Sequence, residues 1–125
     1  GNAITVWVAL DPAGDDNGAL YYYDRSHTSG VLPHVKSFAP GTSQRIADEV
    51  DLSAFEQVRP KLERGDALVH HSEIIHGSDA NTSPLSRRGW TLQYKGRSAR
   101  YDEARIAQYE ADLAEQLEAR GQAEK

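Results

Sequence analysis

The chain is 125 residues long with a formal charge of −5, enough length for one core and no basic stripe for a nucleic-acid backbone. It contains no cysteine, which excludes disulfides, zinc-thiolate sites and cysteine nucleophiles and leaves histidine, carboxylate and hydroxyl chemistry. No apolar run is long enough to span a bilayer and no charged start precedes an apolar segment, so the expectation is a cytoplasmic single domain, residues 1–125, without nucleic-acid or membrane partners.

The chain also lacks methionine and enters a strand pattern directly after Gly1-Asn2, which suggests a piece of a longer protein. Residues 4–10 alternate, with Ile4, Val6, Val8 and Leu10 on one side and Thr5, Trp7 and Ala9 on the other. This is a strand. The turn-rich stretch 11–18 leads into an aromatic second strand at 20–23, and the two strands are expected to pair. From residue 25 to residue 66 the pattern dissolves into Gly, Pro and Ser, with one short helical candidate at 53–58. A connection that long usually carries function; its His27 and His34 are candidate contacts for a substrate, although plain surface histidines are the commoner case.

Residues 67–75, rich in apolar side chains and histidine, predict a strand, with His76 in the loop after it. Alternation resumes at 89–95, where Trp90, Leu92 and Tyr94 share one face and Thr91 and Gln93 the other. Arg87 has the parity of that second, polar face, which is expected to line a cavity. In the tail, Ile106, Tyr109, Leu113 and Leu117 form one narrow apolar stripe, so residues 102–120 predict a surface helix packed by that stripe and ended by Gly121. Short strands, long loops and a terminal helix suggest an antiparallel sandwich or barrel, with a jelly roll the best fit.

The chemistry centres on His76 and Arg87. A neutral imidazole can hold a divalent metal, and a guanidinium can grip a carboxylate through two parallel hydrogen bonds, so the pair suits an acid that chelates a metal. An arginine inside a barrel needs an anionic partner, whereas an arginine on the rim is usually solvated. Ser78 could add a hydroxyl to the same anion or serve the turn, and Trp7 is either a core filler or a wall for the ligand. His71, Glu73 and His76 could in principle form a 2-His-1-carboxylate set, although His76 has the opposite parity and would need a bulge to join. Any single histidine in such a strand is more often structural.

The run Ile4-Thr-Val-Trp-Val-Ala-Leu-Asp11, then Asn17-Gly18, Ser26-His27, Gly65-Asp66-Ala67, His76-Gly-Ser-x-x-Asn81 and Arg87 resembles the phytanoyl-CoA dioxygenase family of Fe(II)/2-oxoglutarate oxygenases. The order and spacing match over roughly the first hundred residues. The resemblance implies a mainly β chain with a double-stranded β-helix, the cupin-like jelly roll, N-terminally truncated and followed by the C-terminal α-helix. It implies His76 as the distal iron ligand, Arg87 and Ser78 on the distal carboxylate of 2-oxoglutarate, and Trp7 lining the co-substrate pocket. Hydroxylation of a small-molecule substrate, with Fe(II) and 2-oxoglutarate as cofactors, is the activity so implied.

Two departures accompany the matches. The family's His-x-Asp motif lies ahead of the strand containing Trp7, and residue 1 stands only six positions before that tryptophan, so two of three iron ligands are expected to be missing. Where the family often has Gly-Ser-His, this chain has Arg25-Ser26-His27. The expectation is therefore a C-terminal part that is inactive by itself, with a non-catalytic jelly-roll module binding a small carboxylate as the alternative. Self-association into a homo-oligomer through exposed strand edges is also expected.

Overall fold

A computed structural model describes residues 2–37 and 44–123 as mainly β, with one C-terminal helix. β1, Ala3–Ala9, lies at the centre of a three-stranded antiparallel sheet between β6, Ala67–His71, and β8, Gly89–Lys95. The register sets Trp7 between Leu68 and Thr91, and Thr5 between His70 and Gln93. Directly opposed residues share a face, so Thr5, Trp7, Ala9, His70 and Thr91 project together. That face is the interior. Trp7 is 6% and Ala9 0% exposed, and they form a small core with Ala13, packed by Ala19, Leu20 and Leu62. On the other face Val69 is 64% and Trp90 57% exposed.

A second antiparallel sheet has β2, Leu20–Tyr23, between β5, Gln57–Val58, and β7, His76–Ser78. β1 and β2 therefore do not pair, contrary to the expectation from their succession. The reason lies in the connection, which is a built loop rather than a hairpin turn. Buried Asn17 donates to the Pro12 carbonyl at 2.8 Å and accepts from the Gly14 amide at 2.8 Å, while Ala13 bridges to Leu62. Those bonds carry the chain from one sheet to the other.

The strand expected over 67–75 stops at His71, and residues 72–75 cross between the sheets. Ser72 donates to Ala3, the Ile75 amide donates to the wholly buried Ser26 hydroxyl at 2.8 Å, and Tyr23 donates to the Ile75 carbonyl. His76 consequently opens β7 instead of standing in a loop. The helical candidate at 53–58 reduces to a 3-10 turn, Leu52–Ala54, followed by β5, and a second 3-10 turn spans Ser26–Ser29. Arg25, just before that turn, has φ 58, the left-handed conformation that a glycine adopts without strain. Residues 38–43 of the long connection lie outside the described residues.

The residues so far form one compact unit, 1–31 with 52–99, and residues 32–51 with 100–125 form another. In the second, β3, His34–Lys36, pairs antiparallel with β4, Gln44–Ile46. Its helix α1, Glu103–Ala123, starts where Asp102 accepts the Arg105 amide at 3.1 Å, a side-chain cap, and it runs through Gly121 instead of ending there. The apolar stripe is not the buried side of α1. Ile106, Tyr109 and Leu117 are exposed, whereas Asp112 and Gln116 are 6% and 1% exposed. Asp112 accepts from Gln44 at 3.0 Å and from Gln108 at 2.9 Å and faces Lys36, so its burial is satisfied and its carboxyl is held below the usual range. No helix among the described residues is long and apolar enough to cross a membrane.

Candidate functional site

His76 is exposed at the start of β7, opposite Tyr22 of β2. Its Nδ1 lies 3.0 Å from the Ile74 carbonyl, which can only accept, so the proton sits on Nδ1 and the lone pair is on Nε2. Tyr22 reaches the other sheet, with its hydroxyl 3.0 Å from Nδ1 of His70. The ring centroids of His70 and His76 are 5.1 Å apart, and those of Tyr22 and His76 are 6.0 Å apart. Burial pushes the Tyr22 hydroxyl up to about 12. Burial first, and neighbouring His76 second, hold His70 below the ordinary imidazole value.

Two residues from His76, Ser78 is exposed and pairs with Leu20. Between them Gly77 faces Tyr21 so closely that a Cβ there would overlap the phenol ring. Glycine is required by that approach.

The adjoining arginines separate. Arg88 takes Asp11 in a bidentate pair, with Nε and Nη2 each donating at 2.8 Å and the Arg88 amide adding a bond at 2.9 Å. The guanidinium holds the Asp11 carboxyl far below its ordinary value. Arg87 is half-buried on the interior parity, its Cζ 5.7 Å from the centre of the Trp7 ring, and it forms no ion pair among the described residues. Trp7 in turn lies flat across Gly89, where any Cβ would overlap the indole. One face of the first sheet thus carries Arg87 and Trp7 toward one end and His70 toward the other, with His70 linking to Tyr22 and His76.

The structure does not assemble His71, Glu73 and His76 into a metal set. His71 Nδ1 accepts the Glu73 amide at 3.2 Å, its ring packs 5.4 Å from that of His27, and His76 belongs to the other sheet. Among the described residues no three His, Asp or Glu side chains are placed to share a metal ion. His27 Nδ1 is buried and finds no hydrogen-bond partner among them. His34 is in the second unit, exposed, with Nδ1 2.7 Å from the Leu32 carbonyl.

Tyr22 was not singled out by its sequence pattern, Ser26 entered only as part of the Ser26-His27 resemblance, and His70 read only as a structural strand histidine. Parity alone placed His70 on the Trp7 face once the register was known, but the Tyr22 bond crosses between sheets and has no local signature.

A family model described as phytanoyl-CoA dioxygenase matches residues 1–89. The chain belongs to the phytanoyl-CoA dioxygenase family. It is 34% identical over 95 residues to phytanoyl-CoA dioxygenase domain-containing protein 1 of Danio rerio, covering 74% of this chain and 33% of that protein. The Bos taurus protein of the same name is 32% identical over 96 residues, with the same coverage of 74% and 33%. The chain therefore spans about a third of the length of these relatives.

Solved structures of similar fold include the epimerase SnoN in complex with Fe3+, alpha ketoglutarate and nogalamycin RO. It is 25% identical, with a TM-score of 0.61, covering 80% of this chain and 38% of SnoN. EvdO2 from Micromonospora carbonacea var. aurantiaca, complexed with 2-oxoglutarate, is 24% identical with a TM-score of 0.60, covering 78% and 42% of the two chains. At that identity the second likeness is one of fold.

Proposed function

We propose that this chain is the C-terminal part of an Fe(II)/2-oxoglutarate-dependent dioxygenase built on a double-stranded β-helix, acting on a small-molecule substrate. The observation that carries the reading is Arg87, half-buried against Trp7 without a carboxylate partner among the described residues. A guanidinium partly shielded from water favours an anion, and the far carboxylate of 2-oxoglutarate supplies one with the matching planar fork. In this reading Ser78 adds a hydroxyl to that carboxylate, and Trp7 forms the wall along the co-substrate.

The residues fit one side of a metal centre. His76 has its Nδ1 fixed by a backbone carbonyl and its Nε2 available, the arrangement a metal-binding histidine needs. When bound, iron with 2-oxoglutarate supplies the oxidising chemistry of substrate hydroxylation. The chain's own part is orientation: His76 holds a ligand position, Arg87 sets the angle of the co-substrate, and Trp7 keeps water from its flank. With no group of three ligands among the described residues, the chain by itself is not expected to turn over.

Titration with 2-oxoglutarate, followed by calorimetry, tests the anion site. Arg87→Met should weaken binding by about 10-fold or more, the loss expected for a charge-assisted bidentate pair. Equal affinity in the two proteins would sink the reading. The absence of a three-ligand group favours one second reading, a metal-independent module that binds a small carboxylate. Adding Fe(II) with 2-oxoglutarate under nitrogen separates the two, because a visible charge-transfer band belongs only to the dioxygenase reading. Self-association through the open edges of β6 and β8 is proposed as well, and a monomer by light scattering would count against it.

A further inference from the structure

We propose that Tyr21, Arg59 and Asp79 are positioning residues, a brace on the outer face of the second sheet that holds β7 in place and so fixes His76 and Ser78, which project from the opposite face. The inference rests on the reading of His76 and Ser78 as site residues and adds to it side chains that act only through β7.

The need for a brace follows from the strand itself. β7 has three residues, fewer than the roughly 5–6 of a typical strand, and among the described residues it pairs with β2 alone. The Tyr23 amide donates to the Ile75 carbonyl at 3.0 Å, so the next bonded pair of this antiparallel ladder is Tyr21 with Gly77. His76 and Ser78 stand on either side of that pair. A ladder so short holds its strand weakly.

The side chains of the outer face supply what the ladder lacks. Tyr21 and Gly77 are opposed and share that face, while Leu20, Tyr22, His76 and Ser78 share the other. The Tyr21 ring lies directly against the Gly77 backbone, where a Cβ would overlap it. Arg59, just past β5, sets its Cζ 4.6 Å from the centre of the same ring. Its Nη1 donates to Asp79 at 2.6 Å and its Nε to Gln57 at 3.0 Å. One guanidinium therefore meets β5 at Gln57, β2 at Tyr21 and the end of β7 at Asp79.

The ion pair alone contributes little, because the Arg59 and Asp79 side chains remain 38% and 54% exposed. The cation over Tyr21 adds to it, and burial shields that ring enough to raise its hydroxyl above the ordinary phenol value. The brace sits on the outer face, so it sets the position of His76 and Ser78 and leaves the inner face to a ligand.

Amide hydrogen exchange, followed by NMR on the full chain, reads the strand without any ligand. In Arg59→Met the protection of Gly77 should fall about 3-fold or more, the factor implied by losing a partly shielded cation from an aromatic ring, while the amides of β1 keep theirs. Tyr21→Leu should act likewise, and Tyr21→Phe, which keeps the ring, should match the wild type. By calorimetry, 2-oxoglutarate affinity should fall about 2-fold or more in Arg59→Met and Tyr21→Leu, because apparent affinity follows the fraction of chains with β7 in place. Circular dichroism establishes that each variant is folded.

Unchanged protection at Gly77, an equal loss in β1 and β7, or a loss at Gly77 with unchanged 2-oxoglutarate affinity would each overturn the inference. If Arg87→Met loses 2-oxoglutarate while Arg59→Met and Tyr21→Leu keep it, the anion site stands and the inference alone falls. A wild-type chain that binds no 2-oxoglutarate overturns the functional reading, and the positioning role falls with it.

Discussion

The two faces of the first sheet differ in a way that runs against their composition. The aliphatic face holds Ile4, Val6, Val8, Val69 and Trp90, yet the buried face is the mixed one, with Thr5, Trp7, Ala9 and His70. An alternating strand reveals that two faces exist, and what lies opposite decides which is interior. Here the opposing elements are Ala13, Leu20 and the Tyr22 hydroxyl, which suit an indole and an imidazole. α1 repeats the lesson in its own unit, where Ile106, Tyr109 and Leu117 of the apolar stripe are exposed, Leu113 is half-buried, and Asp112 and Gln116 are buried.

The contrast between faces is open to direct tests. Gly89→Ala should have the largest effect, about 3 kcal/mol of destabilisation in urea, because the new methyl must displace the Trp7 indole from a packed face. Near-ultraviolet circular dichroism should change with it, and a stability equal to wild type would mean that the interior is looser than its geometry implies.

Acid should act next, through the Asp11–Arg88 pair. The Asp11 carboxyl is depressed by Arg88, so its contribution is fully present above its ordinary value of 3.8 and is lost as pH falls below that value toward the depressed one. Thermal melts across this range should show wild-type stability declining more steeply than that of Asp11→Asn. Parallel curves would contradict the pairing. Val69→Thr, on the exposed face, should change stability by no more than about 0.5 kcal/mol. A loss of several times that would show that this face is covered in solution.

Much of the first unit was legible in the residues. β1 and β8 came from alternation and β2 from its aromatic residues, and the interior parity of Arg87 followed from β8. The separate duties of Arg87 and Arg88 were not legible, since they depend on Asp11 meeting one arginine from 77 positions away. Pairing of β1 with β6 and β8 was hidden for the same reason, as was the burial of Asp112 by Gln44 across 68 positions. His70 shows the limit most clearly, because its hydrogen-bond partner is a tyrosine of another sheet. Periodicity reports the face a side chain takes, and long-range bonds decide what it meets there.

The crossing at 72–75 has a consequence for how this protein can change through evolution or engineering. It joins His71 of one sheet to His76 of the other, anchored midway by the Ile75 amide on Ser26. Replacing residues within the crossing leaves its length intact. Adding or deleting a single residue would turn His76 and Ser78 to the opposite side of β7 while leaving His70 and Trp7 where they are. The number of residues between the two histidines sets which way the second one faces, and this stretch should accept substitutions far more readily than it accepts indels.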